Sequence, residues 1–210
     1  MRGIALRSSS PLESDSFDFK NYKSQLSYAH GSNMCTSAGF FWLAACFLKE
    51  KEQLFHEDTI EQIMTWASAH HSRTCTKLGY HSSIMLKQEE VLEDMTLPPN
   101  FEVKTGSGHK LDTLLTDDDK NFGYVVHVAH MNDYLYANTG YLLTANRHTI
   151  ALFCDQYYEL WLFDSLPAVE KKLNVNSNPF ILNQIEEHLG KFEECSMLVL
   201  SLLSSNQCPK

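Results

Sequence analysis

No stretch of this 210-residue chain is apolar for long enough to cross a bilayer. The longest such run, Ala38 to Leu48, covers 11 residues, where roughly 18 are needed. Basic residues are few: 17 Lys and Arg stand against 26 Asp and Glu, a net charge of −9. That argues against a nucleic-acid partner, whose phosphates ask for a basic surface, and no basic amphipathic helix suggests a membrane surface. A phosphate-cradling glycine loop is missing too, because "GSG" at Gly106 to Gly108 is too short to form one. The opening "MRGIALRSSSPLESDSFDFK" has only "GIAL" as an apolar stretch, so it is not expected to be a secretory signal. Six cysteines (35, 46, 75, 154, 195 and 208) are scattered singly. They read as reduced thiols of a cytoplasmic protein more than as a disulfide frame.

What is present is the balance of an ordinary soluble domain, 43% hydrophobic and 20% charged. The Ser-, Pro- and acid-rich residues 1–20 are expected to be a mobile arm, 21–204 one domain, and 205–210 a tail. Apolar spacing predicts helices over Cys35 to Lys51, Glu57 to about His70 and Ser82 to Met95, the last ended by Pro98 and Pro99. The period then changes. "FGYVVHVAH", "DYLYANTGYLL", "RHTIALFC" and "YYELWLFD" read as strands. A helix over Asn178 to Lys191 and a strand over Ser196 to Leu203 follow. Helices first and a mainly antiparallel sheet afterwards make an α+β domain.

One cysteine stands out by position. In "HGSNMCTSAGFFWLAACF" the turn and capping residues Gly31, Ser32 and Asn33 precede Cys35, and an all-apolar helix follows it. Cys35 then lies in a first turn, where free N–H groups and the helix dipole favour negative charge. The alternative is a packed, inert thiol. A nucleophile needs a base, and the base an orienting group. His148 opens a strand directly after the polar "TANR", and Asp164 closes the next strand after the apolar "LWLF". Their separation of 16 is even, so an odd loop puts both on one face of a hairpin. A loop of Asp155 to Tyr157, centred on Gln156, sets them directly opposite each other.

Other sets compete. His127 and His130, with Asp133, form a rival base and orienter, but histidines three apart on a strand face opposite sides. "HHSRTCTKLGYH" (His70, His71, Cys75, His81) holds metal-ligand residue types without a paired-ligand zinc spacing, and reads as a polar helix connection. "TDDDK" at Thr116 to Lys120 lacks the spacing of a calcium loop.

A cysteine starting a buried helix, a histidine opening a strand 113 residues later, and an acid ending the next strand together resemble the papain-like cysteine peptidases. "NMCTSAGFFWLAACF" and "LFDS" are similar to the nucleophile helix and aspartate strand of YopT-type effector peptidases. The tail "LWLFDSL…ILNQIEEHLGKF…SMLVLSLL" resembles the end of Josephin-type deubiquitinases, and viral papain-like peptidases share the layout. The resemblance runs from about Gly31 to Leu203. It implies a papain-like fold, no cofactor, and a thiol protease acting on a protein amide or isopeptide bond, with ubiquitin conjugates as the favoured substrate. If the source is a pathogen, it implies an effector in the host cytoplasm. It also implies an oxyanion donor shortly before the nucleophile. His30 occupies the family's Gln or Asn place, and Gln25 and Asn33 remain as donors beside the Cys35 N–H. "SLP" after the aspartate departs from some relatives. Glutamine deamidation or transglutamination on the same triad, and an inactive binding module, stay open.

Overall fold

The computed structural model describes residues 16–17, 24–28, 33–48, 57–95, 101–110, 137–166, 169–173, 178–192 and 194–202. In chain order these form β1 (Ser16–Phe17), a 3₁₀ turn (Gln25–Ser27), α1 (Cys35–Leu48), α2 (Glu57–Leu78), α3 (Gln88–Glu93), β2 (Phe101–Lys110), β3 (Thr139–Ala145), β4 (His148–Cys154), β5 (Leu160–Asp164), β6 (Val169–Lys172), α4 (Asn178–Leu189) and β7 (Glu194–Leu202). The expected α+β order holds. β1 falls inside the stretch read as an arm and pairs with β6. The "FGYVVHVAH" strand lies outside the described residues, as do Thr116 to Lys120.

Among the described residues seven strands make one sheet in the order β1-β6-β5-β4-β3-β7-β2, every pairing antiparallel. Strand residues of alternating parity serve two cores. Leu142, Ala151, Phe153, Trp161 and Phe163 face α1 and α2. Tyr141, Ile150, Leu152 and Leu162 face Ile185 and Leu189 of α4. The sheet is thus covered on both faces.

α1 is buried over most of its length, from Cys35 through Cys46, which is why its sequence carries no polar stripe. It approaches the sheet closely because of two glycines. A Cβ on Gly39 would meet Leu142 at 2.7 Å, and one on Gly140 would meet Leu43 at 2.8 Å. Trp42 then stacks on Phe163, centroids 5.4 Å apart and planes 9° from parallel.

α2 runs eight residues beyond the expected end near His70. The reason is that "HHSRTCTKL" keeps a packed face: His70, His71, Thr74 and Cys75 are all buried. It stops in a Schellman motif, with Gly79 at φ +70° and N–H bonds from Tyr80 to the Cys75 carbonyl and from Gly79 to Thr76. The third expected helix shrinks to Gln88–Glu93, since Ser82 to Lys87 forms a turn and loop with Ile84 exposed. The unexpected β2 pairs with β7 and carries a bulge between Gly106 and His109.

Candidate active site

The β4–β5 hairpin sets the first two residues of the site. Cys154 pairs with Leu160 and Ala151 with Phe163, so Asp164 falls opposite Ile150 and His148 lies two residues further along. The loop is odd, as the shared face requires, but it runs Asp155 to Glu159 and centres on Tyr157. The expected three-residue loop about Gln156, with His148 and Asp164 directly opposed, is therefore corrected. The physical cause is Asp155, whose carboxylate accepts the N–H groups of Tyr157 at 2.8 Å and Glu159 at 2.9 Å. That holds the wider loop, with Tyr158 at φ +62°.

The two residues make a diagonal pair on one face, and they meet: His148 Nε2 donates to Asp164 Oδ1 at 2.8 Å. The Leu166 N–H reaches the same oxygen at 2.9 Å. Burial acts to lower the His148 pKa. Hydrogen bonds to Asp164 and Cys35, and their negative charge, outweigh it and hold the ring up to about 10. Asp164 is 2% exposed. Burial acts to raise its pKa, but hydrogen bonds from His148 and His188, and the charge of His148, keep it below the usual carboxylate value.

Cys35 is the first residue of α1 and is 1% exposed. Since His148 Nε2 is taken by Asp164, Nδ1 is the nitrogen left for its interaction with the cysteine. The Cys35 thiol also lies 3.8 Å from the thioether of Met85, which comes from the loop before α3. Below the pair runs a buried hydroxyl chain. Thr36 Oγ1 donates to the Leu86 carbonyl at 3.1 Å and shares a bond with Thr149 Oγ1 at 3.0 Å. Thr149 in turn meets Thr144 at 2.8 Å, and Gln88 Nε2 donates to Thr144 at 2.9 Å.

Of the expected oxyanion donors, Gln25 is buried and tied to the residue after Asp164. Its N–H donates to the Ser165 carbonyl at 3.0 Å, and Ser165 Oγ donates to Gln25 Oε1 at 2.6 Å. The amide Nε2 is the end left to donate elsewhere. Asn33 is half-buried just ahead of α1. His30 lies outside the described residues, as do His127, His130 and Asp133 of the rival set. His70, His71 and Cys75 point into helix packing: Ser37 Oγ lies 3.2 Å from His70 Nδ1, and Cys75 Sγ lies 3.5 Å from His71 Nε2. Among the described residues no group of three His, Cys, Asp or Glu side chains is arranged to hold a metal ion.

Sequence reasoning missed one member. His188, in the last turn of α4, places Nδ1 2.8 Å from Asp164 Oδ2. The available signal was its place one turn after Ile185 and beside Leu189, on the packed side of the helix. The Asp164 carboxylate thus bridges two imidazoles.

No family model matches the chain, and no curated protein matches it. Among solved structures the fold does recur. The ubiquitin-specific protease encoded by a murine cytomegalovirus tegument protein, solved with a ubiquitin-based suicide substrate, superposes with a TM-score of 0.59 at 12% identity. The match covers 88% of this chain and 86% of that one. At that identity the likeness speaks for the fold.

Proposed function

We propose that the protein is a thiol hydrolase that cleaves amide or isopeptide bonds at the C-terminus of ubiquitin or a ubiquitin-like protein. The observation that carries this reading is the hydrogen bond of His148 to buried Asp164, formed beside a helix-starting cysteine. It is supported by the fold shared with a ubiquitin-specific protease. His148 Nδ1 takes the proton of the Cys35 thiol, the sulfur attacks the carbonyl carbon, and the C=O π pair moves onto oxygen. The Cys35 N–H and the Gln25 amide donate to that oxyanion. As it collapses, the C–N bond breaks and His148 Nδ1 passes its proton to the leaving amine. Water then attacks the thioester and gives a proton to His148, and the C–S bond breaks to return Cys35. Asp164 holds the imidazole ring in plane throughout and carries the balancing charge.

The test is reaction with ubiquitin bearing a C-terminal electrophile, read by intact mass. One adduct is expected, absent in Cys35→Ala and slowed in His148→Ala. If a small alkylating agent labels Cys35 selectively while the ubiquitin probe does not react, the nucleophile stands and the substrate class falls. If neither reagent modifies Cys35, the hydrolase reading is wrong.

A further inference from the structure

We propose that His188 is a positioning residue of this site: by donating from Nδ1 to Asp164 Oδ2, it fixes the carboxylate so that Oδ1 faces His148. The inference rests on the reading of His148 and Asp164 as base and orienter. Both His148 and the Leu166 N–H use Oδ1. Without His188, Oδ2 of a carboxylate 2% exposed loses the partner that satisfies it. A buried anionic oxygen without a donor is costly, and rotation about the Cβ–Cγ bond is the cheapest relief. That rotation is what would pull Oδ1 off the His148 ring.

The fold holds His188 there by a second device. β3 and β4 are joined by the two-residue turn Asn146–Arg147, both at positive φ. Asn146 Nδ2 forks onto the carbonyls of Leu189 and Lys191, each at 2.8 Å, closing the end of α4. Gly190 sits at φ +71°, and a Cβ there would stand 3.3 Å from Asn146 Nδ2. The turn that launches His148 therefore also grips the helix end that carries His188. The titratable groups facing His148 are Asp164 on β5 and Cys35 on α1. Those facing Asp164 are the two histidines.

The experiment follows the His148 imidazole by NMR titration in the intact chain, beside hydrolysis of a ubiquitin C-terminal amide. The variants are His188→Leu, His188→Asn and, as reference for complete loss of the acid, Asp164→Asn. In His188→Leu the His148 midpoint should drop by about one unit or more, and kcat should fall roughly tenfold with KM unchanged. His188→Asn keeps a side-chain N–H near the place of Nδ1 and should restore both. If His188→Leu fails to fold, His188→Ala carries the same expectation. An unchanged His148 titration in the donor-less variant overturns the proposal. So does a His188→Asn variant as defective as the leucine one, which would reduce His188 to packing. The titration needs no substrate. If hydrolysis is absent in every variant while the midpoint still moves with His188, the substrate reading has failed and the positioning role stands.

Discussion

Thr36 and Thr149, each one residue beyond a member of the proposed triad, share a hydrogen bond of 3.0 Å between helix α1 and strand β4. The proposed nucleophile and base sit on different elements, and this buried bond ties those elements together one residue beyond each. Replacing Thr149 by Val keeps the shape but removes two hydrogen bonds, leaving Thr36 with the Leu86 carbonyl and Thr144 with the Gln88 amide. The expected loss is about 1–3 kcal/mol of stability, read as a lower urea midpoint. The adduct rate should fall more than stability alone explains.

Asp164→Asn tests the electrostatics. The His148 pKa lies above its ordinary value of 6.5, at about 10, so the charged ring stabilises the fold fully below pH 6.5. That contribution is lost as pH rises through 10. Asp164 has the opposite sign: its lowered pKa gives stability above the ordinary carboxylate value of 3.8, lost as pH falls through the folded value. With Asn at 164, the alkaline limb of kcat/KM should move from near 10 toward 6.5, and the alkaline slope of stability should flatten. A variant with the wild-type alkaline limb would deny that Asp164 holds the His148 charge.

The Met85 thioether lies 3.8 Å from the thiol of Cys35, which is 1% exposed, so Met85 is one of the groups that cover the sulfur. Met85→Ala should speed alkylation of Cys35 by a small reagent severalfold while leaving the fold intact by circular dichroism. No change in rate would mean that the cover over Cys35 is formed by other atoms.

Gly39→Ala probes the close seat of α1 on the sheet. The new methyl would come within 2.7 Å of Leu142 and 3.4 Å of the Ala151 Cβ, and overpacking of this kind costs about 1–3 kcal/mol. A denaturation midpoint equal to wild type would show that the Leu142 side chain gives way freely.

The contacts of the candidate site were legible wherever their signal was local. A cysteine at the start of an apolar helix, and an even spacing between a strand-opening histidine and a strand-closing acid, are patterns a chain displays in one dimension. The register was read two residues off, with the loop centre at Gln156 where it is Tyr157, because the Asp155 carboxylate widens the loop, and such a side-chain turn leaves little mark in hydrophobic pattern. α2 was cut short because buried His70, His71 and Thr74 look like surface residues until their packing is seen. β2 was passed over because "FEVKTGSGHK" is polar and glycine-bearing; its order comes from pairing with β7. His188 stayed hidden for the same reason: its partner is 24 residues away and across a helix–sheet interface.

Among the described residues β4 is the middle strand of seven, with three strands on either side. Exchange of its amide hydrogens requires the ladders on both flanks to open, so they should be among the slowest in the molecule to exchange, while β1 and β2 fray at the rims. The His148–Asp164 bond joins this strand to an adjacent one. A partly opened form that has shed both outer strands would still carry that bond, so local breathing at the margins of the sheet leaves the proposed chemistry untouched.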